Sequence, residues 1–375
     1  MIKFWSYNRE FKKFKKVILK KIDKSINKGN IFFGEELNKF EKNFIKKYKA
    51  KYGIAVGSGT DALLISLKTL NLKSGDEVIT AANTAIPTIS AIVNAGGTPR
   101  LVDIGDDYLI DVEKIKKAIN KKTKAIIPVH LYGQMCNMDK IQNIAQNNKI
   151  TIIEDCAQSQ GAKYKNKYSG TIGKFGCFSF YPTKILGAYG DGGFILTNDF
   201  NAYKKIKRIR FYGIETVQKT KFKNKYYANE NGLNSRLDEI QAAILNFKIN
   251  KVENFINKRR KIANIYLKKL SFDKTILPIE NSKCKHVYHL FTIYHPKASL
   301  IKKKLLKLKI QTRSIYPYPI QKMKAYSKMI KNKKDLKNSE KKSKGIFCLP
   351  LYPELKLGEI KRIISSYKRV IKEIY

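Results

Sequence analysis

Lys184 is the residue of this chain whose surroundings are best suited to covalent chemistry. It lies in the stretch from Cys177 to Asn198, between a segment that alternates in polarity as a strand does and a cluster of glycines. Glycine has no side-chain bulk, so the backbone near Lys184 can pack closely around a bound group. An amine attacks a carbonyl only when it is deprotonated, and burial lowers the pKa of a lysine. We therefore predict that Lys184 reacts with a carbonyl group, although most lysines of such a lysine-rich chain are solvated surface residues.

A glycine-rich turn and a strand-end carboxylate supply two further chemical groups. The turn GSGTD at Gly57–Asp61 precedes a helical apolar pattern, so its backbone N–H groups and the helix dipole favour a phosphate monoester; an ordinary capped helix start is the alternative. Asp155 lies at the end of the apolar segment TIIEDC, where it needs a partner such as a protonated ring nitrogen, a helix end or a salt-bridge cation. Together with Lys184, these groups describe a pyridoxal phosphate site.

The elements that position these groups alternate between strands and helices. The apolar patterns predict strands at Tyr52–Val56, Glu77–Thr80, Leu101–Ile104, Ala125–Leu131 and Thr151–Cys156. They predict helices at Phe4–Lys28, Gly34–Tyr48, Pro87–Asn94, Asp111–Ile119 and Met138–Gln146. Units this short indicate an α/β fold with parallel strands under crossover helices. Because ligands gather at the carboxyl ends of parallel strands, we expect the three groups to meet at one edge of the sheet.

A domain boundary is predicted near the long apolar helical pattern at Leu237–Phe255. We expect a large cofactor-binding domain at residues 1–245, which includes the N-terminal helical segment, and a smaller domain at residues 246–375. The smaller domain carries lysine-rich helical patterns at Lys302–Lys309 and Glu359–Glu373.

The composition narrows the class of protein. The net charge of +46 comes mostly from lysines that are spread along the chain without a nucleic-acid-binding motif, so we expect no nucleic-acid partner. No apolar run is long enough to cross a membrane, and the N-terminus lacks the pattern of a signal peptide. The five cysteines show no CxxC spacing, so we expect reduced thiols, no metal site and a cytoplasmic location.

Six motifs, in this order, resemble those of the DegT/DnrJ/EryC1/StrS sugar aminotransferases: GSGTDAL, NTAIPTISAI, VHLYGQ, IIEDCAQ, SFYPTK and GLNSRLDEIQAAIL. The resemblance is clearest from Gly34 to Leu245. It implies the aspartate-aminotransferase-like fold (fold type I of pyridoxal phosphate enzymes), with a large domain built on a mostly parallel mixed sheet flanked by helices and a smaller C-terminal α/β domain. It also implies pyridoxal 5'-phosphate as cofactor, a homodimer with shared active sites, and amino transfer from L-glutamate to a nucleotide-linked keto sugar.

The resemblance assigns roles to individual residues. Lys184 matches the lysine that holds the cofactor and moves the proton, and Asp155 matches the carboxylate that keeps the ring nitrogen protonated. Gln158 matches a residue that hydrogen-bonds the ring hydroxyl. The remaining cofactor contacts implied are Gly59, Thr60 and Ser179 at the phosphate, Asn234 at the phosphate of the neighbouring subunit, and Pro87 or Thr88 against the ring face.

The motif NTAIPTISAI resembles the branch that aminates C3 of dTDP-3-keto-6-deoxyhexoses. It implies a dTDP-3-amino-3,6-dideoxyhexose product for a surface glycan such as lipopolysaccharide O-antigen. Tyr181, Tyr316 and Lys219 are the expected substrate contacts. Ile315 and Gln321 stand where many relatives carry histidine.

Other functions stay open at this point. A 4-keto nucleotide sugar or a keto-cyclitol is the alternative acceptor within the same enzyme class. A cofactor-binding regulatory protein and, from charge alone, a nucleic-acid-binding protein are the alternatives outside it.

Overall fold

The computed structural model describes residues 1–215, 227–272, 274–330 and 332–375. These residues form twelve strands: β1 Tyr52–Val56, β2 Glu77–Ala81, β3 Thr98–Val102, β4 Thr123–Ile127, β5 Thr151–Asp155, β6 Lys163–Tyr164, β7 Lys167–Tyr168, β8 Phe175–Ser179, β9 Gly193–Thr197, β10 Cys284–Lys285, β11 Phe291–Tyr294 and β12 Ile346–Leu349.

The same residues form thirteen α-helices: α1 Tyr7–Asn27, α2 Glu35–Tyr48, α3 Gly59–Lys68, α4 Ile86–Asn94, α5 Val112–Ala118, α6 Met138–Asn147, α7 Phe200–Ile209, α8 Glu239–Ile249, α9 Val252–Lys269, α10 Ala298–Lys307, α11 Lys324–Ser327, α12 Lys337–Gly345 and α13 Leu357–Ile374. Single 3-10 turns occur at Leu131–Gly133, Ile320–Lys322 and Lys333–Asp335.

A seven-stranded sheet in the order β1-β9-β8-β5-β4-β2-β3 is the centre of the molecule. Five adjacent strands of this sheet, β3, β2, β4, β5 and β8, pair in parallel, whereas β9 runs antiparallel to both of its neighbours. Consecutive residues of the central strands are buried, so both faces of the sheet are covered. The prediction of a mostly parallel mixed sheet flanked by helices is therefore confirmed.

The ends of three strands bring the reactive segments to one edge of this sheet. β5 ends at Asp155, β8 ends at Ser179, and β1 runs in the same direction and leads through Ser58 into α3. The Ser58 hydroxyl caps α3 by accepting a hydrogen bond of 3.0 Å from the backbone N–H of Asp61. This arrangement agrees with the expectation that the strand ends form one site.

Two predicted elements begin elsewhere than expected. The helix predicted from Phe4 begins at Tyr7, because the preceding residues are extended and the Phe4 N–H bonds the side-chain oxygen of Gln311. β3 spans Thr98–Val102 and not Leu101–Ile104. It includes Pro99, which a strand tolerates at the edge of a sheet, and this is where β3 lies.

Two other predicted elements have different ends. The strand predicted at Ala125–Leu131 stops at Ile127, before Pro128. The stretch Leu237–Phe255 is not one helix, since α8 ends at Ile249 and α9 begins at Val252. Apolar spacing continues across that break, so periodicity alone does not reveal it.

The buried apolar side chains form two clusters. The larger one surrounds the seven-stranded sheet, and the smaller one contains Ile2 together with residues between Ile262 and Ile371. The division into residues 1–245 and 246–375 stays a prediction. Within the described ranges, no helix combines the length and apolar character needed to cross a bilayer.

Candidate active site

A cavity of 490 Å³ opens at the carboxyl ends of β5 and β8. Nine residues that sequence reasoning singled out contribute to its wall: Gly59, Thr60, Pro87, Asp155, Gln158, Ser179, Tyr181, Lys184 and Tyr316. They come from segments scattered between residues 59 and 316, so the fold assembles the predicted constellation at one place.

Lys184 lies on a tight turn after β8. Its backbone N–H donates a hydrogen bond to the Tyr181 carbonyl over 2.8 Å, and the Ala188 N–H donates one to the Phe180 carbonyl over 2.7 Å. A Cβ at Gly187 would lie 2.5 Å from the Pro182 carbonyl oxygen, so this turn requires glycine there. Loss of hydration in the cavity lowers the pKa of Lys184 to about 8, and the negative charge of Asp155 opposes that shift. A substantial fraction of Lys184 is therefore the neutral amine near pH 8.

Asp155 is 4% exposed, and two hydrogen-bond donors among the described residues hold its carboxylate. Its Oδ1 accepts from the Ala157 N–H over 3.1 Å, and its Oδ2 accepts from the Thr88 hydroxyl over 2.9 Å. Burial raises the pKa of Asp155, while both hydrogen bonds and the Lys184 cation act in the opposite direction. A protonated ring nitrogen at this carboxylate would supply the positive charge that burial demands.

The start of α3 has the form of a phosphate site. The Gly59 and Thr60 N–H groups have no hydrogen-bond acceptor within the described residues, as is usual for the first turn of a helix. A Cβ at Gly59 would lie 2.6 Å from the Ser179 Cβ, so glycine allows these two segments to meet. The hydroxyl-bearing Ser179 lines the same wall. The N–H groups and hydroxyls therefore fit the phosphate of the cofactor.

Hydrogen bonds with Tyr132 and Tyr316 hold Gln158 in the cavity wall. Its side-chain oxygen accepts from the Tyr132 N–H over 2.8 Å, and its Nε2 donates to the Tyr316 hydroxyl over 2.8 Å. One N–H of the amide is left for a ring hydroxyl. Tyr181 is half exposed, which places it where the cavity meets solvent.

Three predicted contacts lie elsewhere or outside the described residues. Thr88 is buried behind Asp155 and is not part of the cavity wall. Asn234 forms an isolated backbone bridge with Phe211 and is not among the wall residues, and its role at the phosphate of a neighbouring subunit stays a prediction. Lys219 falls at residues 216–226, outside the described residues.

Ile315 and Gln321, which stand where many relatives carry histidine, each form a hydrogen bond with another part of the protein. Ile315 accepts a 3.4 Å hydrogen bond at its carbonyl from the Tyr132 hydroxyl. Gln321 is buried, and its Nε2 donates to the Ser339 hydroxyl over 3.3 Å. Gln321 is not among the residues of the cavity wall.

Sequence reasoning missed several wall residues. Asp191 lies within the glycine-rich stretch, where its carboxylate was a visible signal. Tyr318 and Met323 reach the cavity from the segment after Tyr316, and no local motif marks them.

A model of the DegT/DnrJ/EryC1/StrS aminotransferase family matches residues 12–368 of the chain. The chain belongs to this family. It is therefore a pyridoxal phosphate-dependent aminotransferase, and the cavity described above has the donors and charges that this cofactor needs.

Two curated relatives align with nearly the whole aminotransferase. A dTDP-3-amino-3,4,6-trideoxy-alpha-D-glucose transaminase from Micromonospora megalomicea subsp. nigra is 34% identical over 98% of this chain and 98% of its own length. A dTDP-3-amino-3,6-dideoxy-alpha-D-galactopyranose transaminase from Aneurinibacillus thermoaerophilus is 37% identical over 98% of this chain and 99% of its own. Both relatives are named for 3-amino sugars.

A solved structure shows the same fold. The crystal structure of S. venezuelae DesV in complex with a ketimine intermediate superposes with a TM-score of 0.93, at 30% identity, over 98% of each chain. The aspartate-aminotransferase-like fold expected from the motifs is thereby confirmed.

Proposed function

We propose that this aminotransferase moves an amino group from L-glutamate to C3 of a dTDP-3-keto-6-deoxyhexose. The product would be a dTDP-3-amino-3,6-dideoxyhexose for a surface glycan such as lipopolysaccharide O-antigen. The observation that supports the acceptor best is the similarity, over nearly the full chain, to the two transaminases named for dTDP-3-amino sugars. The motif NTAIPTISAI, whose Ala85 and Pro87 lie on the cavity wall, supports the same acceptor.

We expect each residue of the cavity to have a separate role in this reaction. Bound pyridoxal phosphate would carry the amino group between the two substrates and accept the electron pair left by proton removal. Lys184, whose pKa is about 8, would take the α-proton of the donor as a neutral amine and return it as an ammonium group. Asp155 would hold a proton on the ring nitrogen, and Gln158 would orient the ring hydroxyl. Gly59, Thr60 and Ser179 would bind the phosphate.

The sugar would enter beside two tyrosines. Tyr181 and Tyr316 line the cavity and carry hydroxyls that can bond a sugar hydroxyl. Gln158 already bonds the Tyr316 hydroxyl, so that tyrosine is held in place before substrate arrives. Lys219 is proposed to contact the pyrophosphate.

A homodimer and a cytoplasmic location complete the proposal. Ile31, Phe32 and Phe33 are exposed apolar side chains on one loop, and Ile86 at the cavity wall is exposed as well. Such a surface favours burial against a second copy, which would bring the partner's counterpart of Asn234 to the phosphate. The cysteines are free thiols, as a reducing compartment would keep them.

Two half-reactions test the proposed substrates. The enzyme is treated with L-glutamate until the visible absorbance of the bound cofactor disappears, and the glutamate is then removed. dTDP-3-keto and dTDP-4-keto 6-deoxy sugars are added separately, and a sample without sugar is the control. We expect the absorbance to return with the 3-keto sugar alone. Return with only the 4-keto sugar would contradict the C3 assignment, and failure of glutamate to act would contradict the donor.

A further inference from the structure

A second cavity, of 390 Å³, adjoins the first at Lys184. The two cavities share four wall residues, which are Gln158, Tyr181, Lys184 and Tyr316. A molecule in the second cavity would therefore lie within reach of the same amine that serves the cofactor site.

Among the described residues that line the second cavity, there are positively charged side chains and no carboxylate. Lys184 and Arg313 supply this positive charge, whereas the first cavity contains Asp155 and Asp191. The Arg313 side chain is exposed, and its guanidinium makes no ion pair or hydrogen bond with any described residue; the guanidinium carbon lies 5.8 Å from the centroid of the Phe4 ring. An arginine beside an acid-free wall favours an anionic ligand, and its planar fork suits a carboxylate.

Two further polar side chains in this wall, His289 and Gln311, have hydrogen-bond donors without acceptors among the described residues. His289 is 3% exposed, and its Nδ1 has no hydrogen-bond partner among the described residues. Burial and the nearby Lys184 cation lower the pKa of His289 well below its usual value, so its ring is neutral and offers one N–H. Gln311 accepts the Phe4 N–H at its side-chain oxygen over 3.1 Å, which leaves the amide N–H groups free. Of these groups only His289 is buried, and a buried polar group without a partner is uncommon and destabilising, so its Nδ1 indicates a missing hydrogen-bond partner at this wall.

The N-terminal segment closes one side of this cavity. Ile2 donates to the Lys309 carbonyl over 2.8 Å and accepts from the Gln311 N–H over 3.0 Å, forming a parallel bridge. The bridge holds Trp5 and Tyr7 in the cavity wall. Their rings provide an apolar surface for the methylene groups of a short carboxylic acid.

We propose that the second cavity is the subsite of the amino donor, in which Arg313, Gln311 and His289 bind a carboxylate group while the donor amine lies beside Lys184. The inference rests on the proposed function only in taking a dicarboxylic amino acid as the donor. It does not depend on which keto sugar is the acceptor.

Trp5 provides a direct readout of this subsite, because it is the single tryptophan of the chain and lines the cavity. The cofactor-loaded enzyme is titrated with glutarate, a dicarboxylate that has no amine and cannot react, and binding is followed by Trp5 emission and by calorimetry. We expect Arg313→Gln to weaken glutarate binding about ten- to a hundredfold, since a charge-assisted hydrogen bond is lost. Arg313→Lys should recover part of that loss, because it keeps the charge without the fork. Retained cofactor absorbance shows that each variant is folded.

A matched control distinguishes the loss of a contact at Arg313 from the loss of one positive charge anywhere on the protein. Arg369 is exposed and lies on neither cavity wall, so Arg369→Gln removes the same charge and should leave the glutarate affinity unchanged. Thymidine diphosphate is titrated in parallel, as a probe of the acceptor. The proposal is overturned if the parent enzyme does not bind glutarate, if Arg313→Gln leaves its affinity unchanged, or if that variant weakens only thymidine diphosphate. Because no sugar enters the glutarate titration, a wrong acceptor assignment would leave its result intact.

Discussion

The two cavities that meet at Lys184 differ in how far hydrogen bonds within the protein hold the side chains of their walls. In the cofactor cavity, Asp155 and Gln158 are held by short hydrogen bonds from neighbouring residues. In the second cavity, Arg313 and His289 have side-chain donors without acceptors among the described residues. A cofactor stays bound and needs a rigid frame, whereas a substrate must enter, bind and leave. Preorganised groups therefore suit the first cavity, and unpaired donors suit the second.

Removal of the amine shared by both cavities is expected to have the largest effect. Lys184→Ala should lower turnover at least about 10³-fold, because it removes the base as well as the covalent attachment of the cofactor. Steady-state kinetics and the visible spectrum of the purified variant check this. An unchanged melting temperature for the cofactor-free variant would show that the fold is intact, and near-parental activity would refute the role of Lys184.

Adjacent residues of β5 should respond differently when one carboxylate oxygen is replaced. Asp155→Asn should slow proton removal roughly 10²- to 10³-fold, since a neutral amide cannot stabilise a protonated ring nitrogen. Glu154 is fully buried and accepts from the N–H groups of Gly170, Ile172 and Gly173 and from His130, so Glu154→Gln should instead cost about 3 kcal/mol of unfolding free energy.

Single-turnover kinetics and urea unfolding measure the two effects separately. The contrast fails if Asp155→Asn retains the parental rate. It also fails if Glu154→Gln is as stable as the parent.

A smaller effect is expected from the hydroxyl behind the cofactor cavity. Thr88→Val removes the 2.9 Å donor of Asp155, which raises the pKa of that carboxylate further and should lower the rate about tenfold. Thr80→Val is the matched control, because the buried Thr80 hydroxyl also donates over 2.9 Å, to the Ile127 carbonyl within the central sheet. Both variants should lose about 1 kcal/mol of stability. Equal rates in the two variants would show that the contact of Thr88 with Asp155 has no catalytic consequence.

The pH dependence of cofactor attachment is the mildest test. The folded pKa of Lys184 is lowered from 10.5 to about 8, so the neutral amine accumulates as pH rises through 8 and not through 10.5. The rate at which cofactor-free enzyme takes up pyridoxal phosphate should rise about tenfold from pH 7 to a plateau above pH 9. Stopped-flow absorbance measures this rate, and a midpoint above pH 10 would mean that the cavity does not lower the pKa of Lys184.

The cofactor cavity could be predicted well because its parts are short and local. The turn before α3, the end of β5 and the turn that carries Lys184 are each contiguous motifs, and parallel strands bring such ends together. Prediction was weaker at element ends: the break between α8 and α9 leaves the apolar spacing unchanged, and the extended N-terminal residues are held by the distant residues Lys309 and Gln311.

The sequence by itself determined the fold class and the cofactor, and it predicted the roles of Lys184 and Asp155, because residue type and spacing within a few positions carry that information. Only the tertiary structure decided which distant side chains support them. Thr88 meets Asp155 across 67 positions, and Gln158 meets Tyr316 across 158. The second cavity likewise forms where the N-terminal segment pairs with Ile310 and shares a wall with Arg313 and His289. Such contacts depend on the path of the whole chain, which no local pattern records.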